Sequence, residues 1–286
     1  MKNYLKLMRV HHYIKNLLVF ATLACGGMLF DTHRLYKCIA AFFAFCMVSS
    51  VVYIINDIRD VEKDRKHPTK CKRPIASGAV SVTSACWLAG GLALIAVVCN
   101  GLVFDPVATT LLLLYLVMNL AYSMGLKNIP IVDVSILSAG FLIRILYGAV
   151  VSDISVSNWL YLTVITFSLY FSLGKRRNEL KQVGDGQTRK VLQLYSPNFL
   201  DKNMSMCLTL GNAFYALWTM DKSTISFYSS NYLTFTVPIV LLITMKYSLN
   251  VEGDSDGDPV EVLLHDKMLL ALCVVYLLAM LFILYL

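Results

Sequence analysis

The chain has 286 residues, 57% of them hydrophobic and 15% charged, with a formal net charge of +7 and a mean hydropathy of +0.64. A soluble domain of this length has too little interior to hide so much apolar surface, so composition excludes that class and points to an all-α, polytopic membrane protein. The positive charge calls for no nucleic acid, because membrane topology accounts for most of it.

Nine apolar runs read as membrane-spanning helices, at 14–30, 36–55, 81–100, 106–122, 130–150, 159–174, 204–220, 232–248 and 268–286. Some are short for a hydrocarbon core of ~30 Å, which tilt accommodates. The runs are continuous rather than alternating, which favours helices over barrel strands. No small-residue cleavage site follows the first run, so it reads as a retained span. Residues 1–286 read as a single integral-membrane domain without an internal repeat. The eight cysteines lie mostly inside spans, with no CxxC pair or zinc spacing, and read as small apolar residues.

Charge sets the orientation. With the N-terminus inside, 21 of the 25 Lys and Arg fall in inside segments, and only Arg34, Lys37 and Lys222 fall outside; Arg144 lies within a span. That asymmetry predicts a multi-pass protein of the inner (plasma) membrane with a cytoplasmic N-terminus. The polar segments 56–80, 122–127, 175–203 and 250–266 then face the cytoplasm together.

The densest charge is NDIRDVEKDRKHPTKCKRP, residues 56–74. If the second span continues as a helix, Asn56, Asp57, Asp60 and Asp64 fall at roughly 0°, 100°, 40° and 80° around it, and Glu62 at roughly 240°. Three carboxylates and an amide then share one face at the membrane surface. Hard divalent cations relieve such crowding, and Mg²⁺ in particular takes one or two carboxylates together with substrate phosphates. Arg65, Lys70, Lys72 and Arg73 beside them suit the remaining phosphate charge. Pro68 and Pro74 read as hinges of this loop.

Asp133 and Arg144 are eleven residues apart on the fifth span, near three helical turns, and share a face with Gly140 and Tyr147. At ~1.5 Å per residue they lie ~16 Å apart, too far to pair. Arg144 either lines the deep end of a cavity or snorkels to the outer face. The segment 188–195, TRKVLQLY, reads as a short amphipathic helix.

NDIRDVEKD followed by RPIASG resembles the NDxxDxxxD signature of the UbiA superfamily of intramembrane prenyltransferases. The resemblance implies about nine helices around a central cavity open to the cytoplasm, with Asn56, Asp57, Asp60 and Asp64 binding Mg²⁺ and a diphosphate. It also implies a second aspartate pair, DxxxD. The region taken as equivalent reads YSMGLKNIPIVDVSIL, where Asp133 is present but position 137 is Leu and Lys127 lies nearby. RVHHYIKNLLVF, YSMGLKNIPIVDVSILSAGFLIRILYGAV, SNWLYL, LGKRRNEL and DPVEVLLHDK, between Arg9 and Lys267, are similar to one branch of that superfamily, the decaprenyl-phosphate phosphoribosyltransferases.

This second likeness implies a transferase that moves ribose 5-phosphate from phosphoribosyl diphosphate (PRPP) to a polyprenyl phosphate, toward decaprenyl-phospho-arabinose for cell-wall arabinan. Mg²⁺ is its cofactor, and PRPP, the lipid phosphate and the bilayer are its partners. A homo-oligomer is compatible with the sequence and is not specified by it. The candidate catalytic residues are Asp57, Asp60, Asp64, Lys127 and Asp133, and the candidate substrate-binding residues are Lys15, Asn56, Lys70, Arg73, Tyr122, Arg144, Lys175 and Arg176. Two other readings stay open: a prenyltransferase moving a polyprenyl group from its diphosphate to an aromatic or lipid acceptor, and a transporter or scaffold without turnover.

Overall fold

The structure is a computed structural model that describes residues 2–66, 70–182, 190–253 and 257–285. Among the described residues every regular element is helical. In chain order they are α1 (Lys2–Met8), a 3₁₀ helix (Val10–Phe20), α2 (Ala21–Cys25), α3 (Thr32–Arg59), α4 (Val61–Arg65) and a 3₁₀ turn (Lys70–Lys72). Then come α5 (Val82–Val103), α6 (Pro106–Met124), a 3₁₀ turn (Leu126–Asn128), α7 (Val132–Ser152), α8 (Asn158–Gln182) and a 3₁₀ turn (Lys190–Leu194). The chain continues through α9 (Pro197–Met220), α10 (Lys222–Tyr228), a 3₁₀ turn (Tyr232–Thr236), α11 (Val237–Glu252), α12 (Pro259–His265) and α13 (Lys267–Tyr285).

Local sequence explains where these helices begin. Asp31 accepts the Arg34 N–H at 3.0 Å at the head of α3, and Ser81 accepts the Ser84 N–H at 3.1 Å at the head of α5. Ser196–Pro197 and Asp258–Pro259 each place an oxygen cap before a proline that needs no N–H partner.

Six helical segments are long and apolar enough to cross a membrane by length and composition: α3, α5, α6, α7, residues 232–252 and α13. Each overlaps one of the runs expected to span. The runs 159–174 and 204–220 lie within α8 and α9, helices that also carry the polar ends Lys175–Lys181 and Asp201–Asn203. The run 14–30 departs from a single helix. It is a 3₁₀ helix, then the five residues of α2, then a turn in which Gly27 takes φ 68. A left-handed glycine ends a helix however apolar its neighbours are. Pro68, residues 188 and 189 of TRKVLQLY, and residues 254–256 of the acidic loop lie outside the described residues; 190–194 of that stretch is a 3₁₀ turn.

The chain forms two compact units. The first comprises residues 1–124 and 143–155. Its centre is α3, whose Ala40, Ala41, Ala44 and Phe45 are buried, and α5 packs along it through Ala85 and Ala96. The second comprises 125–142 and 156–286, where α8 and α9 pack together around Tyr170, Leu173, Leu200 and Met204. Outward-facing Leu94, Val97 and Val98 on α5, and Leu277, Leu278 and Phe282 on α13, are exposed, as lipid-facing side chains are.

One glycine in the first unit is fixed by contact alone. A Cβ on Gly148 would lie 2.0 Å from the Val19 carbonyl oxygen, so α7 meets the 3₁₀ helix backbone to backbone. Neither side has a flexible end that yields. Gly148→Ala is expected to cost at least the ~1–3 kcal/mol of an overpacked core. Gly90→Ala, on α5 with nothing within 4 Å of its Cβ, should be neutral or stabilising by up to ~1 kcal/mol. Thermal unfolding of both variants in detergent checks the contrast.

Candidate active site

The first unit gathers carboxylates at the end of α3. The helix carries Asn56 and Asp57, stops at Arg59, and resumes as α4 at Val61. The expected uninterrupted helix is therefore broken at Asp60, whose ψ of 10° turns the chain. Two i→i+4 bonds still cross the break, Asp60 N–H to Asn56 O at 2.9 Å and Asp64 N–H to Asp60 O at 2.8 Å. They preserve the angular relation that the spacing predicts. Asp57 and Asp64 are buried, and Glu62 points out to pair with Arg65 at 2.7 Å.

Arginines close this cluster. Arg73 Nη1 lies 3.2 Å from Asp57 Oδ1 and 2.7 Å from Asp64 Oδ2, and Arg9 Nη2 reaches the same Asp57 oxygen at 2.9 Å. Arg9 is held in turn by the Tyr53 ring, 4.6 Å below its guanidinium, and its backbone sits at φ 53 and ψ 49, a region non-glycine residues seldom enter. Arg73 is fixed by the RPIASG loop, where Ser77 N–H donates to Arg73 O and Val80 N–H to Pro74 O, each at 2.9 Å. Ser123, at the end of α6, donates to Asn56 Oδ1. Lys70 sits on the 3₁₀ turn that precedes Arg73, and Tyr122 adjoins Ser123; both are half-buried, as is Lys15 on the first 3₁₀ helix.

No group of three or more His, Cys, Asp or Glu that could hold a metal occurs among the described residues. Of the expected metal set of Asn56, Asp57, Asp60 and Asp64, the structure brings Asp57 and Asp64 to one atom. Asp57 and Asp64 converge, but on a guanidinium nitrogen, and the break in the helix falls at Asp60. The donor chemistry nevertheless suits a divalent cation. Two buried carboxylate oxygens aim at one point that a cation already occupies, and Mg²⁺ needs only one or two carboxylates when phosphates complete its shell.

The second unit gathers charge around Asp133, in the first turn of α7. Asp133 is fully buried. Its Oδ2 takes Arg176 Nε at 2.6 Å and its Oδ1 takes the Tyr195 hydroxyl at 2.6 Å. Arg176, 1% exposed, also donates from Nη1 to Glu179 at 2.6 Å. Burial, then the bond to Asp133, pushes the Tyr195 hydroxyl up to about 12. Lys175 pairs with Asp258 at 3.2 Å. That contact needs a glycine at 257, whose φ is 73 and whose Cβ would lie 2.9 Å from Lys175 Cα. Asp266, of the DPVEVLLHDK block, accepts from Lys246 at 2.8 Å and from the Leu269 N–H at 2.8 Å; the lysine first, then that N–H, pull its carboxyl down to about 2. Lys127 is half-buried on the 3₁₀ turn Leu126–Asn128.

Arg144 does not snorkel. It is 6% exposed in the part of α7 that belongs to the first unit. Its Nε donates to Asn16 Oδ1 at 2.8 Å and its Nη2 to Tyr115 Oη at 3.1 Å, with the guanidinium 4.8 Å over Phe45 and 5.0 Å over Tyr115. An amide, a phenol and two ring faces meet the charge locally, so it has no need to reach a membrane surface. Sequence reasoning missed Arg9, Ser123, Glu179, Tyr195 and Asp258 as members of these clusters. Arg9, Ser123, Glu179 and Asp258 carried a signal, since each lies in one of the blocks that resemble the phosphoribosyltransferase branch, whereas Tyr195 does not.

The sequence profile of the UbiA prenyltransferase family matches residues 17–251. The chain is 34% identical over 282 residues to the decaprenyl-phosphate phosphoribosyltransferase of Corynebacterium glutamicum, spanning 95% of this chain and 83% of that protein. It is 36% identical over 282 residues to the decaprenyl-phosphate phosphoribosyltransferase of Mycolicibacterium smegmatis, spanning 93% and 87%. A solved structure of a UbiA homolog from Archaeoglobus fulgidus, bound to DMAPP and Mg²⁺, matches with a TM-score of 0.74 over 99% of both chains at 14% identity, a likeness of fold. With the profile running from the first 3₁₀ helix to the end of α11, through the Asn56–Asp64 carboxylates, the chain belongs to the UbiA prenyltransferase family.

Proposed function

We propose that this protein is a membrane-embedded transferase that moves 5-phosphoribose from PRPP to a polyprenyl (decaprenyl) phosphate. The observation that carries this reading is the likeness, over more than nine-tenths of the chain, to two enzymes of that name. The second cluster supports it. Position 137 is Leu, so a DxxxD pair starting at Asp133 lacks its second carboxylate.

In the reaction the bond from ribose C1 to the diphosphate breaks and a bond from C1 to a lipid phosphate oxygen forms, the electron pair leaving with the diphosphate. The nucleophile is already an anion, so no strong general base is required. Asp57 and Asp64, with Asn56 and Asp60 beside them, would hold a divalent cation, Mg²⁺ in this reading. Bound there, it would neutralise the charge that builds on the leaving diphosphate. Arg73, Arg9 and Lys70 supply further positive charge to the donor's phosphates, and Arg73 exchanges its carboxylate partners for phosphate oxygens when the donor binds. Lys127 and Lys175 offset the charge of a phosphate group. The product feeds cell-wall arabinan in this reading.

Donor choice tests the proposal. Membranes containing the protein, given polyprenyl phosphate, should move label from ribose-labelled PRPP into the organic phase. A labelled prenyl diphosphate with an aromatic acceptor should give none; transfer from that donor alone would identify a prenyltransferase instead.

The carboxylate cluster and the N-terminus are assigned to the cytoplasmic face of the plasma membrane, where a soluble, highly charged donor is available. Ser77→Cys, with native cysteines replaced, should react with an impermeant thiol reagent in inside-out vesicles only. Labelling in sealed right-side-out cells would contradict this orientation.

A further inference from the structure

We propose that Tyr195 is a positioning residue, whose hydroxyl holds the Lys127-bearing loop in its working shape against the start of α7. The inference rests on the functional reading above only for the role of Lys127.

The loop between α6 and α7 is held in conformations that side chains resist. Gly125 takes φ 154, and Ile131 takes φ 67. A β-branched residue in the left-handed region is strained, and strain persists only where the surroundings over-determine it. The restraint is visible. Ile131 N–H donates to Tyr195 Oη at 2.7 Å, and the same hydroxyl donates to Asp133 Oδ1 at 2.6 Å. One phenol oxygen thus ties the last loop residue to the first turn of the helix. The turn is tight on the other side as well, with Val132 N–H donating to Pro130 O at 2.8 Å and Asp133 N–H to Ile129 O at 3.1 Å.

The support behind Tyr195 is well packed. Val191 and Leu192 are buried, Tyr195 N–H donates to Leu192 O at 3.3 Å, and the Tyr195 ring stacks on Phe199 at 5.7 Å. The 3₁₀ turn Leu126–Asn128, which carries Lys127, lies against the 3₁₀ turn Lys190–Leu194. Lys127 is therefore braced at both ends, by that contact and, four residues on, by the Tyr195 hydroxyl. Asp133 in turn fixes Arg176 through its other oxygen, so one hydroxyl sets two cation-bearing elements of the second unit.

Tyr195→Phe tests this, because it keeps the ring and its packing and removes only the hydroxyl. Three results are expected. Without any substrate, hydrogen–deuterium exchange should rise in 126–133 and stay unchanged in α9. With PRPP and polyprenyl phosphate, KM for one of the two should rise about ten-fold while kcat falls less, as expected for a misplaced binding group. Tyr195→Phe added to Lys127→Ala should have little further effect on KM, because the two act through one element.

Unchanged exchange in 126–133 would overturn the proposal. So would a KM that multiplies fully in the double variant, or a loss confined to unfolding temperature. A wild-type protein without ribosyl transfer would sink the functional reading, while the exchange result would still decide whether Tyr195 holds the loop.

Discussion

Asp57→Asn and Asp64→Asn are each expected to lower ribosyl transfer by at least about a hundred-fold, the scale on which one electrostatic stabiliser of a leaving group contributes. Asn keeps the shape of Asp and removes the charge. Both carboxylates are buried and both face Arg73 Nη1, so each substitution weakens the group that would hold a divalent cation with the donor. Glu62→Ala should stay within about two-fold of wild type on the same electrostatic argument, because Glu62 is exposed and pairs outward with Arg65. Steady-state rates at saturating substrates, with unfolding temperatures to show that each variant is folded, decide the matter. Glu62→Ala as damaging as Asp64→Asn would defeat the one-face argument for the whole motif.

The second large effect is on stability. Asp133→Leu leaves Arg176 buried with Glu179 and without its fully buried carboxylate partner, and breaking a buried pair in this way costs about 3–5 kcal/mol. Asp133 is 0% exposed and Arg176 1%, so water offers little relief. Pairing Asp133→Leu with Arg176→Met should recover much of that loss, since apolar replacement of both partners removes the unpaired charge. Transfer should not recover, because the loop and cation geometry depend on Asp133. Denaturation midpoints for the two single variants and the double variant give the coupling. Strictly additive losses would mean that the pair does not act as a unit.

What the sequence made legible follows the range of each interaction. The Asp57–Asp64 face was readable because seven residues of helix bring the two side chains to the same side, and this survives the break at Asp60 through its two i→i+4 bonds. The burial of these two and the exposure of Glu62 follow from the same rotation. The helix break itself was invisible, since no glycine or proline marks it. The partners of these groups were equally hidden. Arg9 lies 48 residues from Asp57, and Tyr195 lies 62 from Asp133. Such pairs are set by how helices pack, and no local spacing encodes them. Arg144 shows the same limit: Asn16 and Tyr115, which remove its need to snorkel, are 128 and 29 residues away. The run 14–30 was misread because hydropathy does not distinguish one helix from a 3₁₀ helix, a short helix and a Gly26–Gly27 turn.

The central claim is that the C1–diphosphate bond of PRPP breaks while the ribose passes to a lipid phosphate. The most direct measurement uses purified protein in lipid with PRPP carrying one label in the ribose and another in the diphosphate, together with polyprenyl phosphate and Mg²⁺. The predicted result is ribose label in the organic phase and diphosphate label released to water in equal amounts, both lost in Asp57→Asn and both requiring the divalent cation. Ribose label that stays in water, or diphosphate label that moves with the lipid, would contradict the account.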